Sequence, residues 1–417
     1  MRPENERLAV NKPSPEGQIK LELGPIDLIY RLVGLIIVLY FFLVGIDLIG
    51  NGFKLVGGAS AGGLFGAISN PLISLMVGMA ATALLQSSST TTSIVVGLVA
   101  GGAITVPDAI PMIMGANIGT SVTNTLVSMG HAGNRDEMRR AFAGATVHDF
   151  FNLLSVLILL PLEVAFGFIE KASGFLTGLL AGGGGADFDS PLKAIISPIS
   201  KAIISVDKSK IKEAAAGVEI DGSLLKGGVF VNSGLSDQIV GITVVIGGGM
   251  LTIIALLMIV KLMKSMMEAR ASQWLTAALE KNAYASMLIG AGATVTVQSS
   301  SITTSAMVPM IGVGLVTLEA VFPLTLGANL GTTVTALLAS MASTGSSAAL
   351  GLQIAICHLL FNILGILIWY PLPFMRRVPL SMARRLGDVV SDHRWVAPVY
   401  VLVVFFVIPL SLIALTS

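Results

Sequence analysis

Two polar motifs interrupt apolar stretches of this chain and supply the groups most able to do chemistry. The first is Gln86-Ser87-Ser88-Ser89 and the second is Gln298-Ser299-Ser300-Ser301. Each is followed by a second shared element, which reads Gly115-Ala116-Asn117-Ile118-Gly119-Thr120 and Gly327-Ala328-Asn329-Leu330-Gly331-Thr332. Hydroxyl and amide groups concentrated in this way can bind ions, so both motifs are candidates for a functional site.

An anion site can be built from these residues without a fixed positive charge. The N-terminal end of a helix exposes backbone N–H groups and carries a partial charge of about +0.5. Serine and threonine hydroxyls add donors that rotate to fit, and a site of this kind can release its anion again. An arginine at the centre of a membrane would be costly. The predicted anion ligands are Gln86, Ser87, Ser88, Ser89, Gln298, Ser299, Ser300 and Ser301.

The same residue types also suit a small hard cation such as sodium, because hydroxyl and carbonyl oxygens coordinate it. Asp149 adds a carboxylate inside an apolar segment, which is a functional candidate by default. The alternative for Asp149 is a paired or capped interior side chain. The predicted sodium ligands are Thr92, Asn117, Thr120, Thr123, Asp149, Thr304, Asn329, Thr332 and Thr335. No other metal and no cofactor are predicted.

Helix packing and hydrolysis could also account for the serine clusters, but both account for them less well. Small polar residues can simply let membrane helices pack closely, but two copies followed by the same second element argue against that. A serine hydrolase is disfavoured because neither cluster has a Gly-x-Ser-x-Gly elbow, and the repeat would demand two active sites. We therefore expect no enzyme activity.

The composition places these motifs in a membrane protein. The 417 residues are 54% hydrophobic and 12% charged, whereas soluble globular proteins carry about 25% charged residues. The apolar residues come in stretches of about 20, which suits a hydrocarbon core about 30 Å thick. A net charge of +1 gives no sign of nucleic-acid binding, and the single cysteine, Cys357, cannot form an intramolecular disulfide. We predict an all-α polytopic membrane protein.

Internal repetition is the most informative feature of the sequence. Residues 78–128 align with 290–340 without gaps, and about 23 of the 51 positions are identical. The match continues farther on, where His148 and Asn152 correspond to His358 and Asn362, while Leu359 stands in place of Asp149. The chain is therefore predicted to be a duplicated unit joined by a linker.

The basic residues predict that the two units have opposite orientation. The segments 131–140, 261–281 and 376–394 are rich in Arg and Lys and should be cytoplasmic, together with the N-terminus. All three reach the cytoplasm only if each motif stretch is a re-entrant hairpin that enters and leaves on one side. The C-terminus is then external by parity. Inverted repeats with discontinuous helices are typical of secondary transporters, with the site at the repeat interface near the midplane.

The predicted organisation has five parts. They are a cytoplasmic tail (1–27); repeat 1 (28–169) with span 28–49, hairpin 67–104, broken helix 109–129 and span 141–168; an external linker (170–237); repeat 2 (238–372) with span 239–263, amphipathic helix 264–282, hairpin 284–316, broken helix 320–341 and span 350–371; and a basic cytoplasmic loop with the last span (373–417).

Several side chains outside the motifs have simpler expected roles. His148 and Asn152 are four residues apart and share a helix face; hydrogen bonding across the bundle is favoured over a direct part in transport. The acidic residues near span ends, which are Asp47, Glu163 and Glu319, are expected to be solvated. Trp369 and Trp395 are expected to anchor the cytoplasmic interface.

The motifs resemble those of the type II sodium-dependent phosphate cotransporters. The likeness lies in 86–93, 115–124 and 139–152 in the first repeat and in 298–301 and 327–333 in the second, and it covers roughly residues 28–415. It implies inorganic phosphate as substrate, inward coupling to sodium, and a role for Asp149 as the aspartate of electrogenic members. The linker lacks the disulfide cysteines and glycosylation sites of animal members, so the chain looks like a bacterial, inner-membrane protein.

Two further functions remain open at this point. A hydroxyl-lined site discriminates weakly between tetrahedral anions, so the same architecture could carry another oxyanion or a dicarboxylate with sodium. An anion channel fits less well, because channels rarely need two opposed hairpins with cation-type oxygens. The expected partners are inorganic phosphate, sodium ions and the lipid bilayer, with no nucleic acid; the oligomeric state stays open and a homo-oligomer is compatible with it.

Overall fold

The computed structural model describes residues 25–64, 70–180, 193–207, 210, 222–279, 282–342 and 348–416. Almost all of these residues are helical, and the one sheet among them pairs two short antiparallel strands, β1 (Ser205–Val206) and β2 (Leu225–Gly227). Six of the described helices are long and apolar enough to cross a membrane. The predicted all-α, multi-pass fold class is therefore confirmed.

The helices of the first half begin with a long span and then become short. They are α1 (Pro25–Leu64), α2 (Pro71–Leu85), α3 (Ser88–Ala100), α4 (Val106–Gly119), α5 (Ser121–Ser128), α6 (Arg135–Phe166), α7 (Phe168–Leu180) and α8 (Lys193–Ile203).

The second half also begins with a long helix followed by short ones, and four further elements follow the helix Ala348–Trp369. Its helices are α9 (Asp237–Leu279), α10 (Ala283–Val297), α11 (Ser300–Ser305), α12 (Met307–Gly312), α13 (Leu318–Ala342), α14 (Ala348–Trp369), α15 (Pro373–Asp392), α16 (Val396–Leu402), a π-helical segment (Val403–Val407) and α17 (Ile408–Thr416).

Local sequence signals explain where the short helices start and stop. Asn70 caps α2 by accepting the backbone N–H of Leu72, and Asn282 caps α10 by accepting that of Ala285. Both helices have 15 residues. With a rise of about 1.5 Å per residue, such a helix is too short to cross a hydrocarbon core about 30 Å thick. Each ends at the glutamine of its motif, and a second helix begins two residues later.

Equivalent pairs of helices pack against each other in the two halves. Helix α2 lies along α4 and α10 lies along α13, while the long helices α1 and α9 pack against each other. The main apolar core joins both halves and includes Phe42, Ile113 and Phe361, all of them nearly inaccessible to solvent. Helix α3 contacts both α13 and α14, so the first motif lies against the second half.

The prediction of a break in the second broken helix, 320–341, is wrong. Helix α13 runs without interruption from Leu318 to Ala342, whereas its counterpart is divided at Thr120 between α4 and α5. The glycines that suggested a break permit close packing instead. A Cβ added at Gly327 would lie 1.8 Å from the carbonyl oxygen of Met287 on α10.

The amphipathic helix predicted at 264–282 is not a separate element. Residues 260–279 contain neither glycine nor proline, so nothing in this stretch ends a helix. The span and the amphipathic segment therefore form the single helix α9, which has 43 residues.

Three expectations about residues near span ends are also wrong. Asp47 and Glu163 are buried rather than solvated, with 5% and 7% exposure. The carboxylate of Glu163 accepts the backbone N–H groups of Ile169 at 2.6 Å and Glu170 at 3.2 Å, which satisfies the first turn of α7. Trp369 is buried as well, whereas Glu319 is exposed as expected. Trp395 is exposed, and its role as an interfacial anchor stays a prediction.

Candidate functional site

The glutamine of each motif occupies the same unusual backbone conformation. Gln86 has φ 54° and Gln298 has φ 55°, and they are the non-glycine residues with positive φ among those described. A non-glycine residue in the left-handed region is uncommon and is often found at a functional site. The next residue then caps the following helix, because the hydroxyl of Ser87 accepts the N–H of Thr90, and that of Ser299 accepts the N–H of Ile302.

Each glutamine side chain is held at both ends in the same way. Its amide nitrogen donates to a carbonyl of the preceding helix, that of Ala83 for Gln86 and that of Val295 for Gln298. Its amide oxygen accepts a threonine hydroxyl at 2.9 Å, from Thr123 in the first half and from Thr335 in the second. The two motifs are therefore built identically, although they lie far apart in the sequence. Thr123 and Thr335, both predicted as sodium ligands, are thus hydrogen-bonded to the glutamines.

Glycines let the helix carrying each motif approach its partner closely. A Cβ at Gly78 would lie 1.9 Å from the carbonyl oxygen of Met112, and one at Gly290 would lie 2.1 Å from that of Leu324. A Cβ added at Gly115 would likewise lie 1.9 Å from the carbonyl oxygen of Leu75. Since these neighbours are backbone atoms, no side-chain movement could make room. Glycine at these positions therefore fixes where each glutamine is held.

The two halves exchange hydrogen bonds reciprocally at their interface. His148 on α6 donates from Nε2 to the side-chain oxygen of Asn329 on α13. His358 on α14 donates from Nε2 to the side-chain oxygen of Asn117 on α4, at 3.2 Å. Asn329 in turn donates to Asn152 at 2.9 Å. All five side chains are almost fully buried. The exchange of equivalent partners is what a two-fold relation between the repeats would produce.

Most serines of the motifs are buried, and several threonine hydroxyls near them bond to their own helices. Ser88, Ser89, Ser300 and Ser301 are buried, while Gln86 is exposed and Gln298 half-buried. The hydroxyls of Thr92, Thr120 and Thr332 each donate to a carbonyl three or four residues earlier. A hydroxyl that donates in this way still has oxygen lone pairs free for a cation.

A further contact links the second motif to the first half. Thr304, which follows Ser301 on α11, donates to the side-chain oxygen of Asn124 on α5 at 3.0 Å. The equivalent of Asn124 in the second repeat is Ala336, so this contact has no symmetric copy. The sequence motifs predicted Thr304 but not Asn124.

Asp149 lies beside this network and breaks its symmetry. Its side chain is 3% exposed, and one oxygen, Oδ2, accepts the hydroxyl of Tyr400 on α16 at 3.1 Å. The other oxygen, Oδ1, is 3.8 Å from Nδ1 of His148, which is too long for a hydrogen bond. Nδ1 is already engaged with the hydroxyl of Ser121 at 3.0 Å.

Four buried polar atoms in this region have no hydrogen-bond partner among the described residues. They are Asn117 Nδ2, Asp149 Oδ1, His358 Nδ1 and Asn362 Oδ1. Leaving such a group unsatisfied costs about 1–3 kcal/mol, and more for a charged group. Within the described part of the chain, no three His, Cys, Asp or Glu residues come close enough to hold a metal ion. The cluster therefore offers mainly neutral oxygen and nitrogen atoms to a ligand.

Two functional candidates were not predicted from the sequence. No sequence pattern indicated Tyr400, because it lies in an ordinary apolar span beyond the duplicated unit. Asn124 lies in the stretch 115–124 that resembles the family, but it falls outside the duplicated Gly-Ala-Asn-x-Gly-Thr element and has Ala336 as its counterpart. The reciprocal pairing of His148 with Asn329 was indicated only indirectly, through the paired positions of His and Asn in both repeats.

Comparison with known proteins identifies the family. The family model described as Na+/Pi-cotransporter matches residues 41–172 and 251–378, which include both glutamine motifs and both His/Asn pairs. No solved structure shows a significant match to this chain.

Curated relatives match over most of the chain. Sodium-dependent phosphate transport protein 2B of Homo sapiens is 40% identical over 456 residues, covering 93% of this chain and 65% of the relative. Sodium-dependent phosphate transport protein 2A of Rattus norvegicus is 41% identical over 416 residues, covering 89% of this chain and 65% of the relative. The chain thus spans slightly less than two thirds of the length of these proteins. The resemblance inferred from the motifs is confirmed, and the chain belongs to the Na+/Pi-cotransporter family.

Proposed function

We propose that this chain is a secondary active transporter that couples inward sodium movement to the uptake of inorganic phosphate. The observation that carries the proposal is the pair of identically built motifs, in which each glutamine is fixed between a helix end and a threonine hydroxyl. The names of the relatives, which are sodium-dependent phosphate transport proteins, support the choice of ions. The function is transport and not enzyme catalysis.

In this proposal phosphate binds between the two motifs near the membrane midplane. Its ligands are Gln86, Ser87, Ser88, Ser89, Gln298, Ser299, Ser300 and Ser301. The starts of α3 and α11 supply backbone N–H groups and partial positive charge. Neutral donors of this kind hold an anion without the strong binding of an arginine, so the anion can be released on the other side.

Sodium is bound beside the phosphate by oxygen atoms of both repeats. The proposed ligands are Thr92, Asn117, Thr120, Thr123, Asp149, Thr304, Asn329, Thr332 and Thr335. The reciprocal His/Asn contacts support a common site, because they hold Asn117 and Asn329 against the opposite repeat. No cofactor is needed, since sodium is the coupling ion.

Alternating access is proposed to move the inverted repeats relative to each other around this fixed site. The proposed location is the inner, or plasma, membrane of a bacterium, with the N-terminus in the cytoplasm. The external linker, the two hairpins and the other domain boundaries predicted above are part of the proposal, and a homo-oligomer is compatible with it.

Uptake into proteoliposomes tests the proposal. The purified protein should accumulate labelled phosphate only when a sodium gradient is imposed. Gln86→Ala and Gln298→Ala should each abolish this uptake, because a shared site loses ligands from either half. Gln353→Ala is the matched control, since Gln353 is half-buried and donates to the carbonyl of Glu170, a contact that involves neither motif.

Three outcomes would contradict the proposal. Normal transport by either motif variant would exclude a site shared by the two hairpins. Stronger competition by sulfate or a dicarboxylate than by unlabelled phosphate would favour another anion. Absence of counterflow stimulated by substrate on the opposite side would indicate a channel.

A further inference from the structure

A tyrosine outside the duplicated unit contacts the one buried carboxylate of the candidate site. Tyr400 on α16 donates its hydroxyl to Asp149 Oδ2 at 3.1 Å, although 251 residues separate them. Repeat 2 ends near residue 372, and the match to the family model ends at residue 378. The last helices of the chain therefore contribute to a site that the repeats alone do not complete.

The hydrogen bond leaves the two carboxylate oxygens in different states. Oδ2 is occupied by Tyr400, whereas Oδ1 is buried without a hydrogen-bond partner in the described structure. Oδ1 lies on the side of His148, whose Nδ1 is 3.8 Å away. A buried carboxylate oxygen without a donor is costly unless a cation binds it. Oδ1 is therefore the atom that a sodium ion would contact.

Two aromatic rings hold the tyrosine in place. Phe142 lies seven residues before Asp149 on α6, and its ring contacts that of Tyr400 edge-on with centroids 6.0 Å apart. The ring of Phe405 contacts that of Tyr400 edge-on as well, with centroids 5.8 Å apart. Both phenylalanines are fully buried. These ring contacts fix the side chain of Tyr400, and its hydroxyl is thereby directed at Asp149.

Phe405 lies in the π-helical segment of the last span. Residues 403–407 are π-helical, and i→i+5 hydrogen bonding brings residues five apart close to the same face. Tyr400 precedes this segment on α16, and its ring contacts that of Phe405. Such segments inside α-helices are frequent at functional sites.

We propose that Tyr400 is a positioning residue for the cation bound by Asp149. Its neutral hydroxyl holds Oδ2 and presents Oδ1 to sodium without cancelling the negative charge. The proposal rests on the proposed function, in which Asp149 binds a coupling cation. Leu359 takes the place of Asp149 in the second repeat, so the proposed cation contact exists in the first repeat only.

The test compares sodium and phosphate dependence in Tyr400→Phe, which removes the hydroxyl and keeps the ring. A hydrogen bond to a charged group contributes enough for a change of roughly tenfold. In proteoliposomes, the sodium concentration for half-maximal uptake should rise roughly tenfold, while the phosphate KM at saturating sodium stays as in the parent. The sodium concentration that gives half-maximal thermal stabilisation in detergent should rise in parallel.

Matched variants separate this role from general packing. Tyr40→Phe removes another hydroxyl, one that donates to the carbonyl of Ile195 at 3.1 Å, and should change neither parameter. Phe405→Leu keeps the hydroxyl but loosens its support, so it should shift sodium dependence less and in the same direction. Adding Tyr400→Phe to Asp149→Gly should cause no further shift, because the two residues act through one contact.

The outcomes distinguish this inference from the function on which it rests. Unchanged sodium dependence in Tyr400→Phe overturns the inference, as does an undiminished effect of Tyr400→Phe in the Asp149→Gly background. Asp149→Gly should retain sodium-driven uptake but lose its response to a potassium-diffusion potential. If that variant responds to potential as the parent does, the cation role of Asp149 itself is wrong.

Discussion

Replacing Gly327 by alanine tests the packing that fixes the second motif. The new Cβ would lie 1.8 Å from the carbonyl oxygen of Met287 and 2.6 Å from its carbonyl carbon. Contacts of a Cβ below 3.0 Å are essentially not seen in proteins, so helices α10 and α13 must separate until the shorter distance reaches that limit. Both obstructing atoms belong to the backbone, and no rotamer change can relieve the overlap. Overpacking of this kind costs about 1–3 kcal/mol, and we expect the upper end.

The separation should also disturb the site. Gln298 ends α10, and Thr335 lies on α13, so their 2.9 Å hydrogen bond spans the two helices that must move apart. Even part of the required separation brings this distance beyond normal hydrogen-bond length. We expect Gly327→Ala to lose sodium-driven phosphate uptake as well as thermal stability.

Gly292→Ala is the matched control for this measurement. Gly292 lies on α10, and nothing lies within 4 Å of an added Cβ. Alanine there should raise helix stability by about 0.5–1 kcal/mol and leave uptake unchanged. Thermal unfolding in detergent and uptake into proteoliposomes are compared for the parent and both variants. Equal unfolding temperatures for Gly327→Ala and Gly292→Ala would refute the close approach of α10 and α13.

Two other predictions concern topology and helix capping. Cysteine labelling from outside should reach a cysteine placed at Ser190, which is outside the described residues, but not one placed at Asn134 or Ser381; external labelling at Asn134 would contradict the inverted arrangement. The native Cys357 is 1% exposed, so it should not react in the folded protein and need not be removed. Glu163→Gln should destabilise the protein by about 1–2 kcal/mol, because the amide nitrogen cannot accept one of the two backbone N–H groups that the carboxylate now binds. An unchanged unfolding temperature would show that this cap contributes nothing.

The sequence was sufficient for the membrane class and for the main polar elements, for physical reasons. Apolar segments of a length set by the bilayer are hard to mistake. The Gln-Ser-Ser-Ser motif could be found because it is duplicated, and its hydrogen bonds at Gln86 and Gln298 prove to be identical. Duplication reveals which side chains must serve the same geometry.

Glycine and the acidic residues were harder to interpret. A glycine such as Gly327 can break a helix or let two helices touch, and only the position of Met287 decides between these roles. The burial of Glu163 depends on the turn at Gly167, where the chain folds back into α7. The partner of Asp149 could not be predicted, because Tyr400 is 251 residues away and belongs to no repeated pattern.

The reciprocal contacts between His148 and Asn329 and between His358 and Asn117 bear on how such a chain could arise. Each repeat supplies the donor that the other repeat's asparagine needs, so two identical copies of one repeat could satisfy each other as a homodimer before any gene fusion. The fused chain can accumulate changes in one half only, which a homodimer cannot do. Asp149, which has Leu359 as its counterpart, is a difference of this kind, and its partner Tyr400 lies beyond the duplicated unit.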